Sequence, residues 1–155
     1  MEPSKKCCDF IKGYEQFSPK AYMPTPDDVP TIGFGFTKGV KLGDTITREE
    51  ADKRFETEIK EFAQAVEKLV KVTLKQNEFD AIVSLVYNIG IGAFTKSTSL
   101  RLLNAGDKGA FIVNACHPTH GWVKQKGKIL KGLVDRRNKE QDMFLQGVYI
   151  IKKVT

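Results

Sequence analysis

Glu15, Asp27, Asp28 and Thr31 are residues whose types and spacing could cut a glycosidic bond. That reaction usually needs two carboxyl groups, of which one gives a proton to the leaving oxygen and the other stabilises positive charge or activates water. A partly desolvated glutamate at a helix end can keep its proton, whereas a carboxylate in a wet loop stays ionised. The hydroxyl of Thr31 could hold a water molecule on the far face of the sugar.

The same residues also have a plainer interpretation. Glu15 could be a solvated residue at the end of a helix, and Asp27-Asp28, which lie between two prolines, could form a polar turn whose side chains bond their own backbone. Spacing alone favours this interpretation over an enzyme.

A short helix and a turn-rich hairpin must position these residues. Apolar residues at positions 7, 8, 11 and 14 form a helical stripe that Ser4 can cap, so the predicted helix ends at Glu15. Residues 18–37 carry four prolines and two glycines among Tyr, Val, Ile and Phe, which predicts a small irregular hairpin. This is the only convincing β region in the sequence.

Helix patterns dominate the rest of the chain. Thr47 and Glu50 have the spacing of a capping box, and apolar residues at helical spacing continue the following helix to about Val70. Thr73 begins a second cap signature, and the helix after it is apolar nearly all round, as is typical of the centre of a bundle. The lysine-rich residues 124–131 predict a basic loop before a last amphipathic helix.

These patterns predict a mostly helical α+β fold in a single domain over residues 1–155. A hairpin lobe of about residues 16–46 would lie beside a helical lobe formed by about residues 1–15 and 70–155. The long helix would join the two lobes.

The net charge indicates which kinds of partner the protein could bind. The net charge of +6 suggests a polyanionic partner, such as nucleic acid, a membrane surface or a bacterial cell wall. The positive residues are interleaved with Asp and Glu and form no nucleic-acid motif, so we expect no nucleic acid as a partner.

The three cysteines are an odd number and imply no disulfide framework. Cys116, His117 and His120 lack further paired ligands, so we expect no metal.

Two blocks near the N-terminus resemble the phage-type lysozymes of glycoside hydrolase family 24. They are Glu15 followed by Ala-Tyr at residues 21–22, and the run TIGFGFT at residues 31–37. Residues 79–106 are similar to the central helix of that family and its following turn, and residues 126–147 are similar to its C-terminal segment. The matches span most of the chain in the right order.

The resemblance implies a lysozyme-like fold and a muramidase that cleaves the β-1,4 bond between N-acetylmuramic acid and N-acetylglucosamine in peptidoglycan, with no cofactor. It places Glu15 on the general acid and Thr31 on the threonine that positions water. An arginine from the C-terminal region holds the acid in that family, so Arg136, or failing that Arg137, is the expected partner. An exposed helix face is an equal alternative for either arginine.

Two further polar residues could bind the glycan. Asn88 could face the sugar cleft, although an asparagine before a glycine is equally a helix stop. Ser97 could contact glycan, although a capping role explains it as well.

The sequence departs from the family at the second carboxylate. Pro24 occupies the expected position, so a shifted turn would have to supply the carboxylate from Asp27, which is nearer in sequence, or from Asp28. Phe36 replaces the usual histidine. These departures leave a catalytically weak or inactive peptidoglycan-binding module as the alternative function.

Delivery is a separate expectation. The N-terminus has no apolar run long enough for a signal peptide, so we expect synthesis in the cytoplasm of the host bacterium. The resemblance then implies that a holin or another export agent brings the protein to the periplasm and cell wall. An injected effector or a virion enzyme would have the same kind of sequence. A monomer is the expectation for this family.

Overall fold

The computed structural model describes residues 1–152 of the chain. Within these residues lie seven helices and two small antiparallel sheets. The helices are α1 (Lys5–Glu15), α2 (Arg48–Leu69), α3 (Gln76–Ile89), α4 (Ile91–Thr95), α5 (Thr98–Asn104), α6 (Lys108–Cys116) and α7 (Lys131–Gln146), and the strands are β1 (Ser18–Tyr22), β2 (Thr31–Gly33), β3 (Lys124–Gln125) and β4 (Lys128–Ile129). These elements confirm the prediction of a mostly helical α+β fold.

Helix α1 begins and ends where the sequence predicts. The Ser4 hydroxyl accepts a hydrogen bond from the backbone N–H of Cys7 at 3.1 Å, which caps the first turn. Phe10 and Ile11 are fully buried on the inner face of the helix. The last helical residue is Glu15, so the helix end and the candidate acid coincide.

The hairpin of β1 and β2 is irregular, as predicted. Ser18 pairs with Gly33 and Tyr22 pairs with Thr31, with a register shift between the two pairs. The proline-rich residues 23–30 form the connecting loop, because proline cannot donate to a strand ladder. The hairpin therefore holds Thr31 at the start of a short strand whose three residues are all buried.

Helix α2 follows the predicted capping box. The Thr47 hydroxyl accepts from the N–H of Glu50 at 3.1 Å, and the Glu50 carboxylate accepts from the N–H of Thr47 at 2.9 Å. Phe55, Ile59 and Val66 are buried on one face of the helix.

Helix α3 lies at the centre of the helical part, where it packs against α1, α2 and α7. Its residues 78–86 are all buried, as the continuous apolar pattern predicts. The predicted cap at Thr73 is wrong, because the helix begins two residues later. The N–H of Lys75 donates to the Glu78 carboxylate at 2.8 Å, and this glutamate, three residues beyond Lys75, fixes where the first turn starts.

The lysine-rich segment before α7 is a second hairpin and not only a basic loop. Lys124 pairs with Ile129, and Gln125 pairs with Lys128. Lys126 and Gly127 between them have φ of 51° and 78°. Two successive positive φ values are typical of the type I′ turn, which suits two-residue hairpins.

Candidate active site

The end of α1 presents Glu15 to a cavity. The Glu15 side chain is 18 % exposed. The cavity, which we call the acid cavity, has a volume of about 360 Å³ and is lined by Tyr14, Glu15, Gln16, Phe17, Ser18 and Tyr22. A carboxyl group at this point is partly desolvated and can still meet a ligand.

Gly35 makes room for the Glu15 carboxylate. Its φ is 81°, and a β carbon at this position would lie 2.6 Å from Glu15 Oε1. Any side chain there would strain the backbone and also displace the carboxylate. The second glycine of the TIGFG run therefore has a direct role in placing the candidate acid.

Arg136 of α7 binds the other oxygen of the same carboxylate. Its Nη1 donates to Glu15 Oε2 at 2.6 Å, and its Nε donates to Glu140 Oε2 at 3.2 Å. Arg136 is only 3 % exposed. Burial opposes its charge, but the neighbouring charges of Glu15 and Glu140 outweigh this effect and raise the pKa of Arg136. The guanidinium therefore stays charged and links the candidate acid to the protein interior.

Arg137 is equally buried but has different partners. Its Nε lies 2.8 Å from Glu140 Oε1, and its Nη2 donates to Asn88 Oδ1 at 2.7 Å. Burial is the largest influence on Arg137 and lowers its pKa. Of the two arginines expected near the acid, the structure brings Arg136 to Glu15, and the alternative of an exposed helix face is wrong for both.

Asn88 is tied to this arginine pair. Because its amide oxygen accepts from Arg137, the amide nitrogen is the group left for a ligand. Asn88 is half-buried near the end of α3.

Ser97 lies at the start of α5, and its hydroxyl is engaged within the protein. It donates to the carbonyl of Phe94 at 2.7 Å and accepts from the N–H of Leu100 at 3.0 Å. The residue is buried, and these two bonds satisfy its hydroxyl, which caps the helix.

Thr31 is buried at the start of β2, where its hydroxyl donates to the carbonyl of Val29 at 3.1 Å. The hydroxyl oxygen keeps acceptor capacity for a water molecule. Its strand partner, Tyr22, lines the acid cavity. The hairpin thus connects Thr31 to the wall of the same cavity.

The two candidate aspartates differ in their surroundings. The Asp27 side chain is 86 % exposed and lies 3.3 Å from Lys126 Nζ. Asp28 is half-buried, and its Oδ1 accepts from the N–H of Val29 at 2.9 Å. Burial raises the pKa of the Tyr22 phenol, and the charges of Glu15 and Asp28 raise it further. Tyr22 therefore has Glu15 and Asp28 among its charged neighbours.

Glu140 and Ser84 belong to the same network, although the sequence did not predict a role for either residue. Glu140 is 1 % exposed and accepts from both Arg136 and the Ser84 hydroxyl. The spacing could have indicated the role of Glu140. It lies four residues after Arg136 and three after Arg137, so a single helix places its carboxylate beside both arginines. Ser84 lies within a continuous apolar run, and nothing in that run indicates its partner.

A larger groove, of about 980 Å³, lies elsewhere, between α1 and α2. Its lining includes Cys8, Phe55 and Ile59 and none of the candidate residues. Among residues 1–152 no group of three or more His, Cys, Asp or Glu is arranged to hold a metal ion. The helices of this part of the chain include none long and apolar enough to cross a membrane.

A family model described as Phage lysozyme matches residues 12–140. The endolysin of Acyrthosiphon pisum secondary endosymbiont phage 1 is 38 % identical over 144 residues, which cover 93 % of this chain and 98 % of that protein. The endolysin of Bacillus phage B103 is 38 % identical over 149 residues, or 95 % of this chain. The match covers 55 % of the Bacillus phage protein, so the chain spans about half the length of that relative.

A solved structure extends the comparison to the fold. The endolysin from Escherichia coli O157:H7 phage FAHEc1 superposes with a TM-score of 0.82 at 39 % identity, covering 97 % of each chain. This similarity includes both the hairpin and the helical part, and it confirms the expected lysozyme-like architecture.

Proposed function

The chain belongs to the phage lysozyme family, and from this premise we propose that it is an endolysin-like muramidase. It acts on bacterial peptidoglycan, hydrolyses the β-1,4 bond between N-acetylmuramic acid and N-acetylglucosamine, and so lyses the cell wall. One observation carries this proposal: the Glu15 carboxylate lines the acid cavity while buried Arg136 holds it at 2.6 Å.

Glu15 acts as the general acid and protonates the glycosidic oxygen as the bond to the anomeric carbon breaks. Arg136 orients the carboxyl group through one oxygen. Glu140 binds the same guanidinium, so Arg136 is held from the protein interior while it contacts Glu15. The arginine is then a positioning residue, and Glu15 is the group that reacts.

Asp28 is our choice for the second carboxylate, in preference to Asp27. Asp28 and Thr31 both bond to the backbone of Val29, Asp28 to its N–H at 2.9 Å and Thr31 to its carbonyl at 3.1 Å, which supports this order. The exposed contact of Asp27 with Lys126 gives Asp27 a different partner. Thr31 holds the water that Asp28 activates for attack on the anomeric carbon.

Pro24 keeps a second candidate function open, a lysozyme-fold module that binds peptidoglycan without cutting it. Phe36 gives this alternative no support, because its ring is 1 % exposed within the apolar core and replaces a polar group with packing. Retained binding to peptidoglycan with no bond cleavage would favour the binding module.

Delivery and assembly are also part of the proposal. The enzyme is made in the host cytoplasm and reaches the cell wall through a holin or another export agent. It acts as a monomer, and Asn88 contributes its amide nitrogen to glycan binding.

The test is the release of reducing ends from purified Gram-negative peptidoglycan by the wild-type protein and by Glu15→Gln. The amide keeps the shape and can still accept from Arg136, but it cannot donate the proton, so we expect a loss of at least about 100-fold. Circular dichroism checks the fold, and Glu61→Gln on the exposed face of α2 is the matched control. Substantial activity of folded Glu15→Gln would remove Glu15 as the acid, and no release by the wild type would favour the binding module.

A further inference from the structure

Gln16, the residue after the candidate acid, has an unusual backbone. Its φ is 56° and its ψ is 161°. This combination lies in a region that is essentially restricted to glycine, because a β carbon there crowds the neighbouring peptide groups. Gln16 therefore strains the chain at the junction between α1 and β1.

The surroundings force this conformation. The N–H of Gln16 completes α1 by donating to the carbonyl of Lys12 at 2.9 Å. On one side Glu15 is bound to Arg136, and on the other Phe17 packs against Phe34 with ring centroids 5.7 Å apart. With both neighbours fixed, the backbone of residue 16 must make the turn, and a glycine would make it without strain.

The side chain of Gln16 has no evident structural role in the part of the chain that the structure describes. It is exposed, and it lines the acid cavity beside Glu15 and Tyr22. Among residues 1–152 its only hydrogen bond is the backbone bond to Lys12. The side-chain amide, with two donor hydrogens and one acceptor oxygen, is thus available to a ligand in the cavity.

We propose that Gln16 is a substrate-binding residue whose amide recognises an acetamido group of the glycan next to the bond that is cut. This inference rests on the proposed function. An acetamido group offers one carbonyl acceptor and one N–H donor, and a primary amide can pair with both. The adjacency to Glu15 assigns Gln16 to a sugar that flanks the scissile bond. Proteins often keep a strained backbone at a binding site, where the strain lowers stability but serves function.

Two substitutions separate the backbone from the side chain. Gln16→Gly removes both the strain and the amide, so we expect Tm to rise by about 2–6 °C while KM for soluble peptidoglycan fragments rises about 10-fold. Gln16→Ala keeps the strain and removes the amide, so KM should rise equally with Tm close to the wild-type value. Gln64→Ala on the exposed face of α2 is the control and should change neither quantity.

A binding measurement keeps this inference separate from the proposed reaction. Titration calorimetry with the same soluble glycan fragments, in a Glu15→Gln background with and without Gln16→Ala, should show about a tenfold weaker Kd without the amide. A wild-type protein that binds these fragments but does not cut them would overturn the reaction and leave this comparison valid. A Kd and KM within twofold of wild type in both Gln16 variants, or no binding of the fragments at all, would overturn the role of Gln16. A lower Tm in Gln16→Gly would overturn the strain argument.

Discussion

At the residue scale, the arrangement depends on one arginine that serves two glutamates. Arg136 binds Glu15 at the cavity and Glu140 in the interior, and Arg137 and Ser84 also contact Glu140. Because Arg136, Arg137 and Glu140 are all buried and paired, removing one of them leaves another uncompensated. Orientation of the candidate acid and stability of the core therefore depend on the same contacts.

The two aspartates of the hairpin loop should respond differently to the loss of charge. Asp28→Asn should lower kcat/KM at least about 10-fold, because an amide cannot activate water, whereas Asp27→Asn should stay within a few-fold of wild type. Each variant controls for the other, since both remove one negative charge from adjacent positions. Steady-state hydrolysis of peptidoglycan measures the difference. Equal and small losses would mean that the loop supplies no catalytic carboxylate.

Arg137 should matter for stability even though it does not contact Glu15. Arg137→Met leaves Glu140 with a buried oxygen that lacks its cation, so we expect the free energy of unfolding to fall by about 3 kcal/mol. Urea denaturation measures this change. Lys139→Met, two residues further along α7, breaks an ion pair with Asp135, whose side chain is 43 % exposed, and should cost less than about 1 kcal/mol. A similar small loss in Arg137→Met would contradict the importance of the buried pair.

Resemblance could indicate Glu15, Thr31 and one of two arginines, but not the network behind them. The sequence does not indicate Glu140 as a buried partner, because the six charged residues among positions 133–142 predict a solvated face. Burial is a property of the assembled fold, and α7 buries this polar stripe against α3. The role of Asp27 or Asp28 stays a prediction, since loop geometry decides it and the prolines allow more than one path.

At the element scale, the sequence predicted the start of a helix correctly where two side chains cap each other's backbone N–H. The box of Thr47 and Glu50 starts α2 as predicted, because each side chain satisfies the other's backbone donor. At α3 the threonine at position 73 was misleading, and Lys75 with Glu78 sets the start. The hairpin at residues 124–129 was missed because the four lysines of residues 124–131 suggested a solvated loop, although Lys-Gly can form a tight turn.

The capping box gives a prediction for α2. Thr47→Ala should reduce the free energy of unfolding by about 0.5–2 kcal/mol, because the N–H of Glu50 loses its acceptor. Glu49→Ala, also exposed in the first turn but outside the box, should have a smaller effect. Thermal unfolding of the three proteins tests this order. An equal loss in both variants would indicate that general helix propensity matters more than the cap.

At the scale of the whole molecule, the β3–β4 hairpin touches the loop between β1 and β2. Lys126 Nζ lies 3.3 Å from both Thr25 Oγ1 and Asp27 Oδ2, across 99 or more residues of sequence. The contact is exposed on both sides, so it adds little to stability. The contact links the turn at the tip of one hairpin to the loop that carries the candidate aspartates.

That the whole of residues 1–155 forms one domain remains a prediction.

This contact should limit the motion of the loop. Lys126→Ala should speed amide hydrogen exchange in residues 23–30, and added salt should have a similar effect on the wild type, because an exposed ion pair is screened. Lys124 of the same hairpin is also exposed, and Lys124→Ala serves as the control. Mass spectrometry of exchanged peptides measures the rates. Unchanged exchange in Lys126→Ala would show that the loop is held by its own turns.

The pairing of Glu15 with Arg136 also bears on when the candidate site is completed during synthesis of the chain. These residues lie in the first and last helices, 121 positions apart. A ribosome releases the N-terminal helix well before the C-terminal one, so a nascent chain has the acid without the arginine that orients it. The pair of Glu15 and Arg136 therefore forms only after translation has passed α7, and a product truncated before that helix lacks the pair.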